Sequence, residues 1–325
     1  MHTLISRTSP YDWHRRIYIS IVLIGVFSSG CASLSLPAKQ ATNPHQVVSA
    51  QRAKAEDVLK PLPEMTVRDY EAAGDQYRQQ GEMAMAFLQY NKALRLAPDD
   101  LSVRYKKGRL FLQKGLITDA IQSFEGIIKQ HETYALAHAG LGEAYFRIPS
   151  LKKAEQSCRR ATELDETLWY AYNCLGMIYD RQKRFQEAIF AYQSATQLQP
   201  QQAILLNNIG LSYYAQGKYE NALDAFHKAL SLENKNTKIY NNLGVILSKL
   251  GRYEEALAIF AKGGDQAQAH NNLGVMYLAD GHYQEAISSF EKAIAIHPTY
   301  YEKASQNLTL ARRALATSSK GHSTK

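Results

Sequence analysis

Glycine recurs in this chain every 34 residues, and this period constrains the fold more than any other feature. The series ends with one shorter step of 30 residues, and its members are Gly74, Gly108, Gly142, Gly176, Gly210, Gly244 and Gly274. An alanine follows each glycine by twelve residues, and a large, mostly aromatic residue follows it by three and, in six of the seven units, again by sixteen. A period of this length indicates an array of similar structural units that stack on one another, not one enclosed core.

Each unit is predicted to be a pair of antiparallel helices. Ala, Leu, Gln, Glu and Lys are abundant while Val and Thr are modest, which favours helix over sheet. We expect the two helices to cross closely where the glycine of the first meets the alanine of the second. The turn between the helices is marked in five units by Gly81, Gly115, Gly217, Gly251 and Gly281. One pair cannot bury its own apolar face, so neighbouring pairs must share a continuous core.

These offsets resemble the tetratricopeptide repeat (TPR) across residues 67–300, about 70% of the chain. The resemblance implies an all-α fold, a right-handed superhelical solenoid of about seven helix pairs with a C-terminal capping helix. The predicted repeats are 67–100, 101–134, 135–168, 169–202, 203–236, 237–266 and 267–300. Residues 301–316 are predicted to be the capping helix, because Ala304, Leu308, Ala311 and Leu315 make one apolar stripe along it. The polar residues 317–325 are predicted to be disordered.

The sixth repeat departs from the pattern because it is four residues short. Its second helix ends in Gly263 and Gly264 before the next repeat begins. A shortened helix should change the stacking there, so this junction is expected to be either a bend or a seam. In the third repeat Pro149 stands at the turn, a position where proline is well tolerated.

The N-terminus carries the pattern of an export signal. Arg15 and Arg16 precede an apolar run over residues 17–27, which is too short to span a bilayer as a helix, and small residues follow. The sequence Ser29-Gly30-Cys31 resembles the lipobox of bacterial lipoproteins, although Ser28 stands where that family usually has an aliphatic residue. The resemblance implies a signal peptide over residues 1–30 and lipidation of Cys31. The alternative is an ordinary signal with an incidental cysteine.

Residues 31–66 are predicted to be a flexible tether between the lipid and the repeats. They contain Pro37, Pro44, Pro61 and Pro63 and show no sustained periodicity. Because Ala32 and not Asp follows the cysteine, the lipoprotein resemblance implies the outer membrane more than the inner one. The chain is therefore expected to face the periplasm of a bacterial envelope, attached through its N-terminal lipid.

The remaining composition argues against several function classes. The net charge is +8, but the first 31 residues carry +2 and residues 301–325 carry +4, which leaves +2 for the long body between them. A body whose charges are so nearly balanced gives no basis for nucleic-acid binding. Many of the 21 tyrosines occupy repeat core positions, which favours packing over the stacking of bases. No metal-ligand spacing, phosphate loop or nucleophile elbow occurs. We therefore expect no metal, no cofactor and no enzymatic activity.

Two cysteines lie sixteen residues apart in neighbouring repeats. Cys158 takes the place of an aromatic core residue, and Cys174 lies on the next helix. An exported chain would permit a disulfide, but we favour two small buried thiols, because spacing alone does not bring the two Cα atoms into bonding range.

Asparagines are the most informative polar feature. Asn208, Asn242 and Asn272 each lie two residues before a repeat glycine, and Asn173 lies one repeat earlier. The TPR resemblance places such residues in the concave groove, where an amide can donate and accept hydrogen bonds with the backbone of an extended peptide. The alternative is an asparagine bonded to the neighbouring repeat. The lysine and arginine set by which some TPR domains clamp a terminal carboxylate is not reproduced.

These features together predict a membrane-tethered protein-binding scaffold. The break Gly263-Gly264-Asp265 before the last Asn-Asn-Leu-Gly repeat resembles the TPR lipoprotein of Flp/Tad-type pilus assembly systems. That resemblance implies a secretin or another pilus assembly component as partner. An envelope adaptor for peptidoglycan enzymes or their proteases is the alternative, and RNA binding by the solenoid is a third, less favoured hypothesis. Self-association is left open.

Overall fold

The computed structural model describes residues 64–296 and 301–322. The predicted signal peptide, Cys31 and all of the predicted tether except residues 64–66 lie outside these ranges. The described residues contain helices and turns but no strand. The helices are α1 Val67–Gln79, α2 Met83–Leu96, α3 Leu101–Lys114, α4 Ile117–Gln130, α5 Ala135–Arg147, α6 Leu151–Leu164, α7 Trp169–Arg181, α8 Phe185–Leu198, α9 Ala203–Ala215, α10 Tyr219–Leu232, α11 Thr237–Lys249, α12 Tyr253–Gly263, α13 Gln266–Ala279, α14 Tyr283–Ile296 and α15 Tyr301–His322.

The helices form seven antiparallel pairs that stack in chain order, and α15 packs against the last pair. This arrangement confirms the predicted all-α TPR solenoid with a capping helix. The alanines twelve residues after the glycines are completely buried, as are most of the aromatic residues sixteen after them. Each pair therefore contributes one layer to a core that its neighbours complete.

Six of the seven repeat glycines make room for an aromatic ring of the second helix. A Cβ atom at Gly176 would lie 2.4 Å from the Tyr192 ring, and the same clash arises in five other repeats. In the third repeat, where Cys158 replaces the ring, the backbone of the partner helix is among the nearest neighbours of the glycine. There a Cβ atom at Gly142 would lie 3.2 Å from the carbonyl oxygen of Ala154.

The turn of the fourth repeat has a lysine where five other turns have glycine. Lys183 has a φ of 61°, whereas the glycine of the next turn, Gly217, has a φ of 73°. In this left-handed region the Cβ atom of an L-residue lies too close to its own backbone, whereas glycine has no Cβ atom and avoids this contact. The fourth turn is therefore strained by its side chain.

The short sixth repeat ends in a compact junction. Helix α12 has 11 residues while the other second helices have 14. Gly263 is buried against Tyr240, since a Cβ atom there would lie 2.6 Å from the Tyr240 Cβ, and Asp265 caps α13 by accepting from the Gln268 amide at 2.7 Å. One apolar cluster runs from Phe260 to Leu273 across the junction. The core is therefore continuous there, and the junction is not a seam.

The C-terminal helix continues beyond its predicted end. The prediction of disorder from residue 317 is wrong over residues 317–322, where α15 continues to His322. Ala304, Leu308 and Ala311 are buried, and the polar residues near the end do not stop the helix because their hydroxyls bond back to it. The Thr317 hydroxyl donates to the Ala314 carbonyl at 2.8 Å.

Cys158 and Cys174 are free, buried thiols in neighbouring helices of one core cluster. A hydrogen bond with Cys174, together with burial, raises the pKa of Cys158. The pair fills the space that an aromatic ring occupies in the other repeats.

Candidate peptide-binding groove

The first helices of the repeats line the inner face of a TPR solenoid, where curvature creates a concave surface. Three rows of residues follow this face, at three and two residues before each repeat glycine and at one residue after it. The rows change character between the third and fourth repeats. Repeats four to seven carry asparagine and apolar residues, whereas repeats one to three carry most of the charged ones.

The four asparagines predicted to line the groove form a ladder with their neighbours. Asn208 Nδ2 donates to Asn173 Oδ1 at 3.1 Å, and Asn242 Nδ2 donates to Asn207 Oδ1 at 2.8 Å. Asn272 Nδ2 donates to Asn241 Oδ1 at 3.4 Å. We call these six residues the amide ladder. Asn307 of α15 extends the pattern by donating to Asn271 at 3.0 Å.

The bonds between repeats match the alternative that the sequence left open, and they also hold each amide in place. Asn208, Asn242 and Asn272 are only half-buried. An amide has two donors and an acceptor oxygen, and the ladder uses one donor of each of these three residues. The ladder therefore holds the amides in one orientation while leaving hydrogen-bonding capacity toward the inner face.

An apolar row runs beside the amide ladder. It consists of the residues directly after the glycines of repeats four to seven, Met177, Leu211, Val245 and Val275. Leu211 is 38% exposed, and the other three are partly exposed. Apolar side chains that stay in contact with water beside oriented amides form a surface suited to an extended segment with apolar side chains.

The first repeats instead carry a network of ion pairs that sequence reasoning missed. Lys106 Nζ lies 2.8 Å from Glu71 Oε1 and 2.6 Å from Asp75 Oδ2, and the Ser102 hydroxyl also donates to Glu71. Burial by itself would raise the pKa of Glu71, but hydrogen bonds from Lys106, Ser102 and Arg68 outweigh it and lower the pKa to about 2. The sequence contained the signal for this network. Glu71, Lys106 and Asp75 lie at the same offsets from the repeat glycines as the asparagines and apolar residues of the later repeats.

A second charged group links the second and third repeats. Glu143 accepts from Arg109 through one carboxylate oxygen and from Arg147 through the other, the latter at 2.7 Å. Arg147 also donates to the Leu112 carbonyl at 2.7 Å. Two guanidinium groups thus share one carboxylate on the inner face.

The outer face offers shallow hollows between the second helices of neighbouring repeats. One of them, of about 610 Å³, lies between α8 and α10 above α9. Another, of about 370 Å³, is bordered by Phe190, whose side chain is 72% exposed. These hollows lack the oriented amides of the inner face, but the exposed side chain of Phe190 belongs to a second surface that a partner could contact.

Within the described residues, no group of three or more His, Cys, Asp or Glu side chains is arranged to hold a metal ion. None of the helices described combines the length and the apolar character needed to cross a bilayer.

The stacked helix pairs and the inner face define a TPR solenoid, a class of protein–protein interaction scaffold. The chain belongs to the family of the cilia and flagella-associated protein 70 C-terminal domain, which matches residues 32–272. The tetratricopeptide repeat family matches residues 267–300. TPR proteins are typically non-catalytic scaffolds, so the fold itself indicates protein partners. No curated protein sequence matches the chain.

Several solved structures share the fold. A chain of the APC/C hetero-tetramer Cut9–Hcn1 is 21% identical, with a TM-score of 0.57 over 82% of this chain and 52% of that one. A tetratricopeptide repeat protein from Parabacteroides merdae is 15% identical, with a TM-score of 0.52 over 76% of this chain and 98% of its own. PilF from Pseudomonas aeruginosa is 23% identical, with a TM-score of 0.50 over 61% of this chain and 91% of its own. At these identities the likeness concerns the fold.

Proposed function

We propose that this chain is a non-enzymatic scaffold that binds an extended segment of a partner protein in the groove of repeats four to seven. The amide ladder beside the apolar row carries this proposal. Amides that are held in place can pair with a peptide backbone without selecting its side chains, while Leu211 and its neighbours provide apolar contacts. Backbone hydrogen bonds and partial burial together suit a moderate, reversible affinity.

We also propose that the scaffold is tethered to a bacterial envelope and assists assembly of a Flp/Tad-type pilus or secretion machine. The support is the signal-like N-terminus with Cys31 and the sequence break at Gly263-Gly264-Asp265. The family assignment supplies the repeat architecture and names no partner. A secretin or another pilus assembly component is the partner this proposal expects, with the outer membrane as its location.

The groove can be tested with two matched leucines of the fifth repeat. Leu211 on the inner face is 38% exposed and Leu232 at the end of α10 is 37% exposed, so replacing either with lysine removes a similar apolar surface. The tagged full-length chain is crosslinked in cells, and the captured proteins are identified. Leu211→Lys should lose the partner, whereas Leu232→Lys should retain it.

The outer face supplies the competing outcome. If Phe190→Ser abolishes capture while Leu211→Lys does not, the partner binds the outer hollow and the groove proposal is wrong. Recovery of a secretin or pilus component supports the assembly role, whereas recovery of peptidoglycan enzymes or their proteases replaces it with the adaptor role.

The tether is tested separately by Cys31→Ala. Incorporation of labelled palmitate and recovery in the membrane fraction should both be lost in this variant. If neither the wild-type chain nor the variant incorporates palmitate, and both are recovered equally in the membrane fraction, Cys31 is not lipidated.

A further inference from the structure

The outer face carries a large apolar side chain that the repeat pattern does not require. Phe190 of α8 is 72% exposed, more than any other large apolar side chain in the described part of the chain. It lies fourteen residues after its repeat glycine, where the other repeats have Gln, Asp, Ala or Ser, except for Leu88 in the first. A phenyl ring left in water gains nothing from burial in its own chain, and such a surface residue is typical of a contact with another molecule.

Phe190 projects beside two hollows of the outer face. The hollow of about 370 Å³ lies on the α6 side of α8 and is lined by Leu175 and Tyr179 of α7, next to Phe190 itself. The hollow of about 610 Å³ lies on the α10 side and is lined by Leu206 and Tyr213 of α9 and by polar residues of α8 and α10. We call the outer sides of α6, α8 and α10, with these two hollows, the α8 face. The α8 face thus holds both a projecting ring and space for a ring.

Two copies of the α8 face can meet without bringing like charges together. Glu187 is the one charged residue of α8, and Arg184 neutralises it, since Arg184 Nε donates to Glu187 Oε2 at 2.7 Å. The helices on either side differ in charge. The exposed charged residues of α6 are mostly basic, and they are Lys152, Lys153, Arg159, Arg160 and Glu163. Those of α10 are mostly acidic, and they are Glu220, Asp224 and Lys228.

A two-fold axis that runs along α8 aligns these features. Rotation about this axis leaves the two α8 helices parallel and lays α6 of each copy against α10 of the other. The side of α8 on which Phe190 borders its own hollow then faces the 610 Å³ hollow of the second copy. Lys152 at the start of α6 faces Glu220 at the start of α10. In a two-fold contact one patch must contain both members of every pair, as the α8 face does.

We propose that the α8 face binds a second copy of this chain in this arrangement. Phe190 of each copy enters the 610 Å³ hollow of the other, and the charged flanks pair around the two rings. Each of the three helices has 14 residues and is therefore about 21 Å long. With a spacing of about 10 Å between helices, the face covers about 600 Å² per copy.

This area lies at the lower end of stable protein interfaces, so the dimer should be reversible. Because the contact uses the outer face, the proposed groove of each copy stays accessible. The dimer therefore offers two grooves at once, which raises the affinity for a partner that carries more than one binding segment.

The first test is sedimentation of the full-length chain in detergent over a wide range of concentrations. The wild-type chain should change from monomer to dimer as its concentration rises. Phe190→Ser should weaken the dimer at least about tenfold, because a buried aromatic residue contributes much of the affinity of an interface. Leu88→Ser is the matched control and should leave dimerisation unchanged, since Leu88 is an exposed apolar residue at the same offset in the first repeat. A chain that is monomeric at every concentration, or equal effects of the two changes on the dimer, would overturn the proposal.

Exchanging two charges tests the pairing of α6 with α10. Lys152→Glu and Glu220→Lys each place like charges opposite one another, so each single variant should weaken the dimer by about two- to fivefold. The double variant restores opposite charges and should regain most of the wild-type affinity. If the two losses add in the double variant, these residues do not face each other and the proposed arrangement is wrong.

Single cysteines near the two ends of α8 test its direction in cells. Gln186 and Gln197 both lie on the exposed side of α8. In a parallel pair, Gln186→Cys and Gln197→Cys should each form a disulfide-linked dimer with their own copies when a thiol oxidant is added. The wild-type chain, treated in the same way, controls for the native cysteines. Crosslinking that occurs only when the two variants are produced together would show antiparallel helices and overturn the parallel arrangement.

Folding and partner capture separate the remaining outcomes. Circular dichroism and thermal unfolding should be unchanged in these variants, because every substituted side chain is exposed. If Phe190→Ser removes a different captured protein while the wild-type chain is monomeric, the α8 face is a site for that protein and the proposed dimer is wrong.

Discussion

Repeats one to three and repeats four to seven share one core but differ on the inner face. In the first half, neighbouring first helices are joined by ion pairs such as Lys106 with Glu71 and Arg109 with Glu143. In the second half the same rows join the helices through neutral amides, as in the bond from Asn242 to Asn207. The comparison shows that the repeat specifies the packing between helices while leaving the chemistry of the inner face to vary.

The contact between the repeat glycine and the aromatic ring should be the same in both halves. Disrupting this contact should have the largest effect on stability. Gly176→Leu and Gly108→Leu both place a side chain against a ring, where the Cβ atom alone would lie 2.4 Å from Tyr192 or 2.6 Å from Phe124. Each change should reduce the free energy of unfolding by about 3 kcal/mol or more through overpacking. Urea denaturation measures the loss.

Gly126→Ala is the control for these variants. Near the position of its Cβ atom lies only the flexible end of Arg104, at 3.7 Å, so this helical glycine can be replaced without a clash. The change should be neutral or stabilising by up to about 1 kcal/mol. A similar loss of stability in all three variants would contradict the proposed ring contact.

Removing the amides should affect only the second half. Replacing Asn208, Asn242 and Asn272 together with alanine deletes three hydrogen bonds between repeats and leaves the buried Asn207 without its donor. At about 1 kcal/mol for each bond the total loss should be about 3 kcal/mol. Hydrogen exchange should increase in α9–α13 and remain unchanged in α1–α4. An equal increase in hydrogen exchange in both halves would show that the ladder does not stabilise repeats four to seven separately.

Acid should affect the first half more than the second. The pKa of Glu71 is lowered from 4.5 to about 2, because its hydrogen bonds from Lys106, Ser102 and Arg68 outweigh burial. A carboxyl group with a lowered pKa stabilises the fold fully above its unfolded value, and this stabilisation is lost as the pH falls from about 4.5 toward 2. The loss should reach about 2–3 kcal/mol.

Unfolding experiments between pH 7 and pH 2 with Glu71→Gln test this expectation. The variant should be less stable than the wild type at pH 7 and should change less with pH. Parallel curves for the two chains would show that Glu71 is not responsible for the acid sensitivity.

The smallest effect is expected next to the boundary between the halves, at the strained turn of the fourth repeat. Lys183→Gly should relieve the cost of a side chain at a φ of 61° and stabilise the fold by about 1 kcal/mol. Gly217→Lys is the reverse change in the next turn and should destabilise by a similar amount. Thermal unfolding measures both, and equal signs for the two variants would contradict strain as the cause.

The sequence predicted the number of helix pairs and the core, because glycine and alanine recur at the same offset in seven units and the aromatic residue sixteen after the glycine recurs in six of them. It placed the asparagines in register but could not choose between a ligand and a neighbouring repeat as their partner. An offset of about 34 residues does not show whether Asn242 reaches Asn207, since that depends on the distance between stacked helices. The contact of each repeat glycine with a ring could not be predicted for a similar reason, since the ring of Tyr192 lies over Gly176 only once both helices are in place.

By itself the sequence determined the local units, since helix propensity, turn residues and the apolar period act within a few tens of residues. Only the tertiary structure decided how side chains from different repeats meet. It placed Glu71 within reach of Lys106 and joined Arg109 and Arg147 to one carboxylate. The physical reason is that hydrogen bonds and ion pairs depend on distances of a few ångströms, which are set by the stacking of neighbouring repeats and not by their spacing along the chain.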